Sequence, residues 1–176
     1  ARAFRAAGRK LGHAPAVLAN EHPEALILAG KPQLMPSVAP TYAIAAKKAV
    51  VISIAAGTPI ESLNLWLDKP RALVRAMPNL PASIGKGISA AFATPTTTAS
   101  QRKLAHTLLC AVGDLVWLDG EEMLNAVTAV SGSGPAYVFL LVEALTAAAE
   151  RQGLKPEIAK RLARKTIEGA GALLAA

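Results

Sequence analysis

VVISIAAGTPIESL, residues 50–63, decides the fold. Val50 to Ala56 is a short continuous apolar run bounded by breakers, which suits a strand buried on both faces. Gly57 then turns the chain. Thr58, Pro59 and Glu61 follow in the spacing of a capping box, with a cap residue, a proline in the first turn and a carboxylate three residues after the cap. A buried strand that passes through small residues into a helix is the repeating unit of an α/β sheet.

The same rhythm extends to both sides. Upstream, the apolar run Ala25 to Ala29 breaks at Gly30-Lys31-Pro32, and MPSVAPTYAIAAKKA after it has helix-like spacing. Downstream, RALVRAMP (Arg71 to Pro78) reads as a third strand and GISAAFA (Gly87 to Ala93) as a fourth. TPTTTAS is a polar linker suited to cap a helix from about Ser100 to Val112, and LVWLD (Leu115 to Asp119) supplies one more strand. This alternation predicts a parallel α/β sheet. The opening ARAFRAAGRKLG allows a basic helix ending near Gly12 and carries no specific signal.

From Glu121 the character changes. EEMLNAVTAV, PAYVFLLVEALTAAAERQG and PEIAKRLARKTIEGAGALLAA read as three successive helices, so the sequence divides near Gly120 into residues 1–120 and 121–176. The middle helix is apolar nearly all round apart from Glu143 and Thr146, and three helices cannot easily cover it. A dimer or higher homo-oligomer is expected.

Composition narrows the function. With 52% apolar and 18% charged residues, the 176-residue chain can build a packed core. The net charge of +7 suits an anionic partner, but no Lys/Arg stripe with interleaved aromatics is present, which argues against nucleic acid. A phosphorylated cofactor or a carboxylate substrate fits that charge better. Cys110 is the only cysteine and is read as a small core residue in a reducing compartment. His13, His22 and His106 lack metal-ligand spacing, so no metal is expected. Pro135 to Ala149 is short for a bilayer span, no signal-peptide pattern opens the chain, and a cytoplasmic protein without a membrane partner is expected.

In parallel α/β sheets, ligands bind outside the carboxyl ends of the strands. Three expected strands end there in AGKPQ, SIAAGTP and AMPNLP. Ala55, Ala56 and Gly57 would let a flat ligand approach the backbone, Lys31 adds a positive charge, and Asn79 adds an amide. The helix expected from Thr58 would aim unpaired N–H groups at the same crevice. Each feature alone reads better as turn punctuation or a solvated side chain, but three such ends in consecutive strands are harder to dismiss. SGSGPAY, residues 131–137, is likewise explained as a cap, with Ser131 or Ser133 capping and Pro135 in the first turn. A cap does not require two serines and two glycines, whereas a pocket for a small carboxylate uses both hydroxyls and bare backbone.

VVISIAAGTPIESL, RAMPNLPASIGKGISA and especially AVSGSGPAYVFLLVEAL together resemble the pyrroline-5-carboxylate reductases, in matching order from about Glu24 to the end of the chain. The resemblance implies a Rossmann-type NAD(P)-binding domain followed by an all-helical dimerisation domain, with NADPH or NADH as cofactor. It implies hydride transfer to the C=N carbon of 1-pyrroline-5-carboxylate, giving L-proline. Lys31, Pro32, Ala55, Ala56, Gly57, Met77, Pro78 and Asn79 would lie along the cofactor, and Ser131, Gly132, Ser133 and Gly134 would face the substrate. No proton donor is implied; Glu143, polar within an apolar helix, is the one candidate.

The family's opening G-x-G-x-x-G strand and its final helices are absent from these residues, so a longer protein, incomplete at both ends here, is expected. Leu80 stands where the family usually has a small hydroxyl residue, and Gly30 where it has an aliphatic one. A noncatalytic relative that keeps the dimer but not the cofactor is the rival expectation. A reductase of related architecture acting on another imine or carbonyl is the third.

Overall fold

The computed structural model describes residues 23–176. The basic opening, His13 and His22 lie outside the described residues. Five strands form one sheet in sequence order: β1 (Ala25–Leu28), β2 (Val50–Ser53), β3 (Ala72–Met77), β4 (Gly87–Ala93) and β5 (Gly113–Trp117). β1, β2 and β3 run parallel, as do β4 and β5, but β3 and β4 pair antiparallel. The sheet is therefore mixed rather than purely parallel. The reason is the short link from Pro78 to Lys86, which holds only a 3₁₀ turn (Leu80–Ile84) and cannot make a parallel crossover.

β2 and β3 bury one residue set on each face. Leu26, Leu28, Val51 and Leu73 join one core with Met35, Ala39, Ile60 and Leu63; Val50, Ile52, Val74 and Ala91 join the other with Ala105, Leu108 and Leu109. The first face is covered by a helical stretch that Pro36 and Pro40 divide into short α1 (Met35–Val38), a 3₁₀ turn (Ala39–Tyr42) and α2 (Ala43–Ala46), and by α3 (Ile60–Trp66). The second is covered by α4 (Ala99–Cys110). TPTTTAS caps its start, as expected, and does so through a capping box: the Gln101 N–H donates to Thr98 Oγ1 at 3.3 Å and the Thr98 N–H to Gln101 Oε1 at 3.0 Å. Cys110 is half-buried at the margin of this core.

Two compact units result, the first ending at Gly132 and the second comprising Ser133–Ala176. Residues 121–132, grouped by sequence with the helical part, thus pack with the sheet as α5 (Met123–Val127) and a π turn (Thr128–Gly132). The second unit is α6 (Gly134–Arg151) packed on α7 (Pro156–Leu174), around Ala159 and Ala163.

The SGSG stretch does not interrupt the helix. Residues from Met123 to Arg151 form one helical run of 29, so the first two of the three expected helices are continuous. By length and composition the run could cross a bilayer, unlike the shorter stretch read from sequence. It became long because Ser131, Gly132 and Ser133 adopt a helical turn where a loop was expected.

Candidate functional site

Because β1, β2 and β3 are parallel and in register, with Leu28 beside Ser53 and Ser53 beside Arg75, their carboxyl ends share one edge of the sheet. Lys31 and Pro32 follow β1, Ala55 to Gly57 follow β2, and Met77 to Asn79 close β3. The structure thus brings all the residues expected along the cofactor to this edge.

Local chemistry shapes the edge. β2 stops at Ser53, short of Ala56, because the Ser53 hydroxyl accepts the Ala55 N–H at 3.4 Å and turns the backbone. Gly57 has φ +68°, and no atom lies within 4 Å of the position a Cβ would take. Its backbone is open to close approach by a flat ligand. Lys31 is exposed and precedes the 3₁₀ turn Pro32–Leu34. Asn79 is partly committed to the fold. Its Oδ1 accepts the Ile88 N–H at 3.0 Å, lengthening the β3–β4 ladder by one side-chain rung.

The capping box expected at Thr58 does not form. Pro59 is the cap residue, and no side chain of its own segment closes the helix start. Instead the Ile60 N–H donates to Glu121 Oε1 at 2.8 Å, across 61 residues of sequence. The same oxygen receives Arg75 Nη1 at 2.6 Å. A carboxylate of the protein thus takes the place at α3 that the sequence had offered to a ligand anion.

SGSG is also differently built from the expected cap. Ser131 donates to the Val127 carbonyl at 3.2 Å, and Ser133, with φ −87° and ψ −22°, makes no side-chain cap. Thr128 likewise donates back to Leu124 at 2.8 Å. Hydroxyls that bond back to carbonyls four residues earlier compete with the regular helical ladder, and π turns recur at functional sites. α6 therefore does not begin as a free helix N-terminus.

One contact brings Gly132 to this edge of the sheet. A Cβ on Gly132 would lie 2.8 Å from Met77 Cε, so the bare backbone of the glycine rests on that side chain. At Gly134, in the second unit, nothing lies within 4 Å of a Cβ position. Glu143 is exposed in the middle of α6. Among the described residues no group of His, Cys, Asp and Glu is placed to hold a metal.

Sequence reading missed Arg75 and Glu121. A signal was present for the first, since an arginine alternating into the apolar strand ALVRAM needs a buried partner. Nothing local marks Glu121 as that partner, because it lies 46 residues further on.

Residues 121–176 match the family model for pyrroline-5-carboxylate reductase dimerisation. Over 148 residues the chain is 48% identical to a pyrroline-5-carboxylate reductase of Pseudomonas aeruginosa, an alignment covering 84% of this chain and 54% of that protein. The chain spans about half the length of the curated relatives it matches. Among solved structures, a pyrroline-5-carboxylate reductase from Coxiella burnetii superposes with a TM-score of 0.84 at 34% identity, covering 97% of this chain and 63% of that one. The Plasmodium falciparum pyrroline carboxylate reductase with NADP bound gives 0.82 at 28%, covering 93% and 62%. These matches agree with the order of elements, the five-stranded sheet and the helical second unit, and the chain belongs to the pyrroline-5-carboxylate reductase family.

Proposed function

We propose that this protein reduces 1-pyrroline-5-carboxylate to L-proline in the cytoplasm, as a homodimer or larger homo-oligomer, with NADPH or NADH. The observation that carries the reading is the seat of Gly132 on Met77, which brings a stretch proposed to hold substrate against a strand end proposed to hold cofactor. Hydride transfer needs donor and acceptor carbons held in near contact, and positioning is the main service a protein gives this chemistry. A bound nicotinamide would supply the hydride.

The residues of the chain do the rest. Ala55, Ala56 and Gly57 give close backbone approach, Met77, Pro78 and Asn79 form the neighbouring wall, and Lys31 with Pro32 closes the edge after β1. Ser131, Gly132, Ser133 and Gly134 receive the substrate carboxylate, with the hydroxyls as donors and the glycines leaving room. Residues 1–120 serve the cofactor and 121–176 serve dimerisation and substrate. Glu143 is the one side chain proposed as a proton source, and an unchanged kcat in Glu143→Gln would remove it from that role. A noncatalytic relative has no observation in its favour.

The test is pyrroline-5-carboxylate-dependent oxidation of NADPH by the purified protein; absence of turnover in a folded sample would overturn the reading. Gly134→Val sharpens it. The position is open and valine is a better helix former than glycine, so Tm should stay within about 3 °C of the wild type, a shift of about 1 kcal/mol at this size. KM for the substrate should rise about tenfold or more, the equivalent of about 1.4 kcal/mol of binding. Losses of stability and affinity in proportion would mean that Gly134 serves the fold and not the ligand.

A further inference from the structure

Two residues on one face of β3 hold the two ends of the segment 121–132. Strand alternation puts Arg75 and Met77 on the same side of the sheet as Leu73. Arg75 grips Glu121 at the start of the segment, and Met77 supports Gly132 at its end. Between them run α5, whose Leu124 is buried, and the π turn. Glu121 reaches a third element through the Ile60 N–H, at the first residue of α3 just beyond the Ala55–Gly57 loop.

We propose that Glu121 is a positioning residue, which sets the seat of Ser131 and Gly132 against the two strand ends proposed to flank the cofactor. It touches no reacting atom in this role and acts through Arg75 and through the start of α3. The inference rests on the function proposed above, and it is carried by the convergence of three segments on one carboxylate oxygen. Two features make that oxygen a fixed point. The Arg75 side chain is only 12% exposed, so this carboxylate offsets the cost of burying its charge, and both bonds are charge-assisted and short.

If the reading is right, freeing Glu121 lets Ser131 and Gly132 shift relative to the proposed cofactor edge without removing any ligand contact. Misplacement of about 1 Å costs on the order of 10²-fold in rate. The expected result for Glu121→Ala is therefore a fall in kcat of about tenfold to a hundredfold. The primary isotope effect with C4-deuterated NADPH should increase, because hydride transfer becomes slower relative to product release. The dissociation constant of NADP⁺, measured by fluorescence titration, should change less than about threefold. Glu121→Gln keeps an acceptor for the Ile60 N–H and should recover part of the lost rate. The double variant Arg75→Met/Glu121→Gln, which leaves no unpaired buried charge, checks the result in a folded background.

Hydrogen–deuterium exchange supplies a readout independent of turnover. In Glu121→Ala, exchange should accelerate in peptides covering both 55–63 and 128–134, while β1 and β2 stay protected. An unchanged kcat, or unchanged exchange at 128–134, overturns the proposal. So does a fall in kcat matched by lost Tm with no change in the isotope effect. If the wild-type protein itself turns over no substrate, the proposed reaction fails, and the placement of Ser131 and Gly132 by Glu121 then stands or falls on the exchange data alone.

Discussion

Gly113→Ala should lower Tm by about 6–12 °C, the largest loss of stability expected from any single methyl group in the sheet. Gly113 opens β5 with φ +145°, a conformation that L side chains rarely adopt. Its parallel neighbour is Gly87, the first residue of β4. A Cβ on Gly113 would overlap the Gly87 carbonyl oxygen and come within 2.6 Å of its nitrogen. Neither atom belongs to a side chain that can swing away. The Gly87 N–H also donates to the Val112 carbonyl at 3.1 Å, so the start of β4 is pinned to the residue before Gly113. On the other side, a Cβ on Gly87 would meet the Ala82 backbone at 2.8 Å, so the strand cannot retreat without meeting the 3₁₀ turn. Backbone strain alone costs about 1–3 kcal/mol, and steric displacement adds to it. A total of about 3 kcal/mol, at about 2–4 °C per kcal/mol for a protein of this size, gives the stated shift. Thermal unfolding followed by circular dichroism measures it, and a Tm within 2 °C of the wild type would refute the argument.

Gly113 also shows what sequence could and could not reveal. LVWLD was legible as a strand because apolar runs between breakers carry a local signal. The structure starts that strand two residues earlier, at Gly113, since the Gly87 pairing that recruits it is non-local. β4 was bounded correctly by Gly87 and Ala93, yet its direction was not. Direction is set by the length of the link before it, and a nine-residue stretch containing Leu80-Pro81 gives no periodicity from which to judge whether it crosses the sheet.

The candidate site divides in the same way. Gly57 could be picked out as bare backbone after a buried strand, Met77 as the end of an apolar strand, and Gly132 as a glycine between two serines, all written in the chain itself. The closing of α3 was misread because Thr58, Pro59 and Glu61 satisfy a local capping pattern that tertiary structure overrides. Glu121 bonds to the Ile60 N–H from across the unit, and Arg75 holds it there. SGSG was read as a break because glycine and serine favour turns, yet a π turn accommodates them while keeping the helix running. At α3 the decisive bond comes from a distant side chain, whereas at SGSG the bonds are local, from Thr128 and Ser131 to carbonyls four residues back.

Replacing Phe139 and Leu140 together with glutamate should convert the proposed dimer into monomers or aggregates. In the second unit α6 contributes no buried residue, although it is the most apolar helix of the chain. Tyr137, Phe139, Leu140 and Leu141 are 60%, 53%, 65% and 48% exposed, so large apolar side chains stand uncovered around this helix, which soluble monomers rarely present. A lone helix hairpin cannot cover it, because α7 is amphipathic and has one face to offer. The match of residues 121–176 to a dimerisation family accounts for that surface better than a membrane does. Full burial of a large apolar side chain is worth about 1.5–3 kcal/mol. Two positions on each of two subunits therefore contribute about 6 kcal/mol or more, and four buried carboxylates would add their own desolvation cost. About 6 kcal/mol corresponds to more than four decades in the dissociation constant, enough to empty a nanomolar dimer at micromolar protein. Light scattering coupled to size exclusion reads the outcome directly. A wild-type protein that remains a stable monomer at micromolar concentration would sink the dimer. A double variant that keeps the wild-type mass would move the interface off these positions of α6, leaving Leu154, Ile158 and Leu162 as further exposed apolar residues to test.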